Sequence, residues 1–387
     1  MPLIDQFDEG SAMTKEWLAQ FGKDHRVNAI LEDTMISGKE TEPISKARTI
    51  NIAIIGAGAI AQRGHIPEFL SIDGVKIIAV ADVNLEKAKC VAQKASIPQY
   101  FGNYEKMLAL DELDAVTICT PNYLHAPITK ASCDSGKHVL CEKPMATSVE
   151  AAQEMIDAAA RNNVILMIEQ AKRFTPPVEI AKSLLQMGIV GDILAVRSKF
   201  GHAGAQAWSP MGSWFFQREK SGGGVLIDLG IHHADLINWY TEGMEIESIT
   251  GMTSSALNKQ WEVEDYAMGI MKFSSGAMAS LEVSWCTNPQ FDGTEIVGTN
   301  GTLFVNYPGM PEVVFQAASK TNERFVPQIP GESKYGSPFQ HFIDCVRERH
   351  RPLTTGEVGR DALKIVSAIR ESAELGREIK MNSQKDG

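Results

Sequence analysis

The chain has 387 residues, a net charge of −11 at pH 7 and a pI of about 5.4, with 44 % hydrophobic and 22 % charged residues. This length holds two domains with sizeable cores, and the acidic balance argues against a nucleic-acid partner or an anionic membrane surface. No stretch approaches the roughly 20 apolar residues of a membrane span, and no basic-then-apolar leader is present, so a cytoplasmic protein is expected.

Residues 1–49 are charged and mixed, with short apolar groupings that predict helices near 12–21 and 27–36, followed by a linker over 37–48. They read either as an arm packing on the body or a neighbouring subunit, or as a partly disordered leader. The nucleotide-fold pattern starts at Ile50. The run Ile50–Ile55 predicts a buried parallel strand, and Gly56-Ala57-Gly58-Ala59-Ile60-Ala61 a glycine turn opening a helix over 59–71. Gly56 allows the tight turn, Gly58 lets a pyrophosphate approach, and Ala61 keeps the helix close to the sheet. The N–H groups around Ala59 and Ile60 then face a bound anion. The next strand, 75–81, ends at Asp82, 26 positions after Gly56. That spacing suits a carboxylate accepting from the adenosine ribose hydroxyls. It repels a 2′-phosphate, and Val83 and Asn84 supply no base, so NAD is expected over NADP. Asn84 is the better cap for the helix over 84–95.

Strands at 114–119, 137–141 and 164–169 alternate with helices at 103–110, 123–135 and 148–162, giving a doubly wound parallel sheet over 50–171. Strand C-termini in such a sheet open onto the ligand crevice. Thr120, Pro121, Asn122 and His125 follow the strand ending at Cys119, so they are placed beside the cofactor. Asn122 also suits an N-cap. Glu142-Lys143-Pro144 follow the next strand. There the Lys143 ammonium can donate to a substrate oxygen and stabilise a developing alkoxide.

The order GAGAIA, Asp82, TPNYLH, CEKP and GGGVLIDLGIHHADL resembles the Gfo/Idh/MocA oxidoreductases over about residues 50–380. The resemblance implies a Rossmann domain, a C-terminal α/β domain over 172–380 with a large, mostly antiparallel sheet, and NAD(P)-linked oxidation or reduction of a carbohydrate or polyol. It also implies that His232 is the catalytic acid/base, that Asp228 lies beside it in the substrate site, and that Glu142 and Lys143 border the cofactor. Asp228 and His232 are four apart, which on an α-helix puts them on one face. Asp228 is then expected to raise the basicity of His232 or to hold a substrate hydroxyl, with an ionisation near neutrality.

In the second half, strands are expected at 192–200, 246–255, 264–273, 277–286, 293–299 and 301–306, and helices at 175–187, 222–240, 337–349 and 356–376. Consecutive β segments predict an antiparallel sheet with helices on one face. Its other face calls for a second subunit, so a homodimer or homotetramer is expected. Lys172 and Arg173 follow the last strand of the first half, and Arg173 is placed as a donor to substrate hydroxyls or a carboxylate. Trp208, Trp214 and Phe215 suit the C–H face of a sugar ring, or simply anchor their loop. The six cysteines are scattered without a C-x-x-C pair and read as reduced, and no metal-ligand spacing is recognisable. Alternatives to a dehydrogenase are an NAD-dependent glycosidase acting by transient C3 oxidation and a non-catalytic NAD-binding sensor. The sensor needs neither Lys143 nor His232.

Overall fold

The computed structural model describes residues 48–205, 213–257, 259–318 and 324–381. All but the last two residues of the expected N-terminal arm, and Trp208, lie outside them. Six strands form the first sheet: β1 (Ile50–Ile55), β2 (Val75–Ala81), β3 (Gln99–Phe101), β4 (Ala115–Ile118), β5 (His138–Cys141) and β6 (Leu166–Ile168). Their order is β3-β2-β1-β4-β5-β6, and every pairing is parallel. The chain reverses direction across the sheet between β1 and β4, where a doubly wound sheet opens its ligand crevice. Strands β1, β4 and β5 are buried almost throughout, because helices cover both faces.

Nine strands form the second sheet: β7 (Ile193–Gly201), β8 (Ile246–Ser254), β9 (Tyr266–Phe273), β10 (Met278–Ser284), β11 (Phe291–Gly298), β12 (Gly301–Val305), β13 (Val313–Ala317), β14 (Arg324–Phe325) and β15 (Ile379–Lys380). Their order is β14-β13-β12-β11-β7-β10-β9-β8-β15. Only β7 and β10 pair in parallel. β9 alternates strictly: Ala267, Met271 and Phe273 face inward, while Met268 and Ile270 face outward. The inner face takes the helix Gly356–Leu375, whose Ile369 lies where a side chain on Gly251 or Gly269 would have to go. Met252 pairs with Met268, and Met278 with Lys272, so Met252, Met268, Ile270 and Met278 share the uncovered face.

One helix departs from the division at 171/172. Pro338–Glu348 buries Phe339, Phe342, Ile343 and Val346 in the core around Ile50 and Ile52 of β1 and Phe69 of the helix Ile66–Ser71. The chain then runs along β6, with Ile168 N donating to Thr354 O at 2.8 Å. The last part of the chain thus returns to complete the nucleotide fold.

Candidate active site

Five strand ends converge at the C-terminal edge of the first sheet. Gly56 follows β1 at φ +96°, and a Cβ there would stand 2.6 Å from the Cys119 carbonyl oxygen. Only glycine meets both conditions. Gly58 has nothing nearer than 3.9 Å to its missing side chain, which leaves the cradle a pyrophosphate needs. Ala59 and Ile60 begin the helix and are exposed. The helix then takes a wide π turn over Ala61–His65 before continuing as Ile66–Ser71. Asp82 closes the turn from the side: Oδ2 accepts from Ala57 N and Oδ1 from Asn84 N, both at 2.9 Å. Asn84 caps the helix Leu85–Lys94 by accepting from Lys87 N. One expectation is corrected here. A base does stand beside Asp82, because Lys87 Nζ lies 3.5 Å from Oδ2. The Thr120 hydroxyl is buried without a partner among the described residues, next to the place Gly56 leaves open. Glycines, helix start, acid and orphaned hydroxyl together fit a dinucleotide.

Three residues placed beside the cofactor turn their side chains into the protein instead. Asn122 does not cap its helical turn; Nδ2 donates to Ser221 O at 2.8 Å, tying the two halves of the chain together. His125 is buried with Nδ1 2.8 Å from Pro144 O and Nε2 2.8 Å from Thr120 O, bracing both loops. Glu142 is buried, with Oε1 2.7 Å from His65 Nε2 and Oε2 accepting from Lys143 N at 3.1 Å. His65 Nδ1 meets Thr117 Oγ1 at 2.7 Å. Burial opposes a charge on His65, but contact with Cys119 and the Glu142 carboxylate outweighs it and raises its pKa well above the usual value. Burial likewise pushes Glu142 up, and His65 and Lys143 bring it below the ordinary carboxylate range. In neighbouring Glu169 the same relief is outweighed: burial, then repulsion by Glu142, push it up to about 7 against the pull of His65 and Lys143. The Lys143 loop is therefore fastened through Glu142 to the helix that leaves the glycine turn.

Lys143 reaches across to the second half. Its Nζ donates to Asp228 O at 2.9 Å and to Asp228 Oδ1 at 3.1 Å. Asp228 lies in a π turn, Leu226–Gly230, that leads into the helix Ile231–Tyr240. The wide turn displaces it from the α-helical register, and it pairs with Lys143 and Trp285 Nε1 (3.0 Å) rather than with His232. The expected tuning of His232 by Asp228 is thus corrected. His232 is mostly enclosed, and its Nδ1 has no partner among the described residues. Desolvation, then the charges of Lys143 and Lys172, hold its pKa well below 6.5. The imidazole is neutral at pH 7, so the expected ionisation near neutrality moves into the acid range. The start of this helix is held by Glu264, which sequence reasoning misses. Its buried Oε1 accepts from Gly224 N (2.9 Å) and Leu226 N (3.1 Å). Gly224 must be glycine, since a Cβ would lie 2.0 Å from Glu264 O.

Around this centre stand side chains with other loyalties than expected. Arg173 is buried and gives Nε and Nη2 to Asp235 Oδ2 and Oδ1 at 2.8 and 2.7 Å. Its placement as a substrate donor is corrected, because its guanidinium holds the helix of His232 instead. Lys172 Nζ lies 2.5 Å from Asp292 Oδ2 and 4.4 Å over the Phe200 ring, which neighbours His232. Asp292 Oδ1 also meets His233 Nε2 at 3.0 Å. Burial pushes Asp292 up, but His233 and Lys172 together bring it down to about 2. Trp214 packs edge-on against Phe215, which stacks on Trp285 at 5.8 Å between centroids. An aromatic wall therefore runs from Trp214 to the partner of Asp228. Trp285 follows directly on β10, but β10 lies in the mostly antiparallel sheet, where the strand-end argument that flagged Lys143 does not apply. Asp292 carries no sequence signal either.

The family model described as "Oxidoreductase family, NAD-binding Rossmann fold" matches residues 50–170, and that of the GFO/IDH/MocA C-terminal domain matches 178–304. The chain is 25 % identical over 354 residues to D-glucoside 3-dehydrogenase of Escherichia coli, covering 86 % of this chain and 97 % of that protein. It is 28 % identical over 334 residues to D-xylose 1-dehydrogenase (NADP(+)) 2 of Haloferax volcanii, covering 85 % and 99 %. The crystal structure of aldose-aldose oxidoreductase from Caulobacter crescentus superposes with a TM-score of 0.74 at 26 % identity, covering 86 % and 100 %. With the glycine turn, the acid after β2 and the Lys143–Asp228 junction on the same scaffold, the chain belongs to the GFO/IDH/MocA family and is an NAD-dependent sugar or polyol oxidoreductase.

Proposed function

We propose that Lys143 and His232 act together on the reacting oxygen of a secondary alcohol carried by a sugar, a sugar derivative or an inositol-like cyclic polyol. The anchoring of Lys143 carries this reading. An ammonium has three donors, and two are spent on Asp228, which leaves one for a substrate oxygen at the crevice. The bound nicotinamide supplies the hydride acceptor. Gly56, Gly58, Ala59, Ile60, Asp82, Thr120 and Pro121 would hold the dinucleotide, and Lys143 would border it on the substrate side. His232, neutral at pH 7, takes the hydroxyl proton, while Lys143 stabilises the negative charge developing on that oxygen. Asp228 fixes Lys143 and offers its remaining lone pairs to a neighbouring hydroxyl. Trp214 supplies an apolar edge to the ring.

The test is incubation of the purified protein with NAD and a panel of polyols, aldoses and glycosides, following NADH absorbance and product together. NADH formed in equal amount to oxidised product is expected. Release of an aglycone without net NADH would instead identify the glycosidase chemistry.

We further propose a homodimer or homotetramer formed through the uncovered face of the second sheet, in a reducing, cytoplasmic compartment. Met252, Met268, Ile270 and Met278 line that face at roughly half exposure or more, and all six cysteines are free. Light scattering is expected to give at least twice the chain mass. Replacing Met268 and Ile270 with lysine should return it to one chain while the far-UV spectrum is kept. A wild-type monomer at micromolar concentration would refute the assembly.

A further inference from the structure

A cavity of about 350 Å³ lies beside the catalytic centre, between the helices Pro176–Gln186 and Ile231–Tyr240 and the adjoining ends of β11 and β12. Lys143, Asp228 and His232 do not line it. Val178, Leu236 and Val305 form its apolar walls, and its size and mixed lining suit a small molecule. The polar side is held in place by pairs. Asp292 takes Lys172 and His233, His233 Nδ1 meets Ser198 Oγ at 2.6 Å, and Ser198 Oγ meets Thr294 Oγ1 at 2.9 Å. Tyr240 has no such pair. It is buried at 3 % exposure, and its hydroxyl has no partner among the described residues. Burial, then the charge of Asp292, push its pKa up, so the hydroxyl keeps its proton. A buried hydroxyl without a partner costs free energy, which a ligand hydroxyl would recover.

The chemistry of the occupant follows from these groups. An ionised carboxylate accepts at about four positions, and Asp292 uses two, so it can still accept from a ligand hydroxyl. The Tyr240 hydroxyl both donates and accepts. Asp292 and Glu312 repel an anion, while the apolar walls suit the C–H face of a ring. An uncharged ring bearing several hydroxyls meets all of these conditions. Lys172 joins the cavity to the centre: it lines the cavity and lies 4.4 Å over the Phe200 ring, whose centroid is 6.4 Å from that of His232. We propose that the cavity is the subsite for a second sugar ring. The substrate is then a disaccharide or similar glycoside, its reacting ring at Lys143 and His232 and its other ring reaching past Lys172 to Tyr240 and Asp292. The proposal rests on the reading of Lys143 and His232 as the reacting centre.

The experiment is calorimetry on the full chain loaded with NADH, comparing glucose with maltose, cellobiose and trehalose, and galactose with lactose. At least one disaccharide should bind about tenfold more tightly than its monosaccharide, since it adds a second set of contacts. Tyr240→Phe keeps the ring and removes only the unpaired oxygen, so its melting temperature should equal or exceed that of the wild type. It should cut the disaccharide margin about three- to tenfold, the worth of one neutral hydrogen bond, and leave monosaccharide affinity unchanged. Asn306→Gly, at a cavity residue whose φ of 51° glycine adopts freely, should act in the same direction. With a disaccharide that is turned over, the loss should appear in KM and not in kcat, because the contact is remote from the reacting oxygen. No disaccharide margin in the wild type, or a margin untouched by Tyr240→Phe, overturns the proposal. Should Tyr240→Phe not fold, Asn306→Gly decides by the same margin. Lys143→Ala tests the centre separately and should weaken monosaccharide and disaccharide alike. If it changes neither affinity, the centre is misassigned and the proposal falls with it; if it weakens both while Tyr240→Phe keeps the margin, only the cavity is misassigned.

Discussion

His232→Ala is expected to lower kcat by about 10²–10⁴-fold, the usual contribution of a general base, while NAD affinity stays nearly intact. The dinucleotide is held by the glycine turn and Asp82, none of which touches His232, so the loss falls on the chemical step. Lys143→Ala should fall in the same range. The double variant should lose less than the product of the two, because both side chains serve one oxygen. The pH dependence follows from the surroundings of His232. Its pKa is held well below 6.5 by burial and by the charges of Lys143 and Lys172. The neutral, proton-accepting form therefore predominates throughout the neutral range. For oxidation, kcat/KM should be flat there and fall only on the acid side, well below pH 6.5, and His232→Ala should abolish that acid limb. Lys172→Met removes one of the two charges and should move the limb upward. Near-normal turnover of His232→Ala at saturating substrate would remove His232 from the mechanism and leave Lys143 as the group acting on the oxygen.

The second large effect is on stability. Asp235→Ala should cost about 3–5 kcal/mol, the range found when one partner of a buried ion pair is removed. Arg173 would then be left buried with Nε and Nη2 without their carboxylate partner, the Trp239 face beside it at 5.0 Å. The intact pair is not itself a large net gain. Burial raises the pKa of Asp235 even with Arg173 against it, which shows how far desolvation offsets their attraction. Arg173→Met combined with Asp235→Leu should consequently recover most of the loss in a denaturant titration. The same double variant separates positioning from substrate contact. If Arg173 only holds the helix of His232, KM stays within a few-fold of wild type and the change appears in kcat. A large rise in KM at normal stability would return Arg173 to the substrate.

Much of the site is legible before any folding is considered, because it sits at strand ends. Gly56 and Gly58, Asp82, Thr120 and Lys143 each follow a short apolar run, and parallel strands bring such ends to one edge. Short elements are not legible in this way. β3, β14 and β15 span 3, 2 and 2 residues, too few for a period of two to emerge from composition. The π turns at Ala61–His65 and Leu226–Gly230 are hidden as well, since one added residue in a helical turn leaves the apolar pattern almost unchanged.

The sequence by itself determined the doubly wound sheet, the antiparallel second sheet, the glycine turn and the strand-end placement of Lys143. All of these depend on local periodicity and on turn residues. Only the tertiary structure decided which polar group each of these residues meets. Glu142 pairs with His65 across 77 positions, Lys143 with Asp228 across 85, and Arg173 with Asp235 across 62. It also decided that Pro338–Glu348 belongs to the first core. An apolar face has only to be covered, and periodicity shows which face that is. A buried charge must find one specific partner, and that partner is chosen by how distant elements pack.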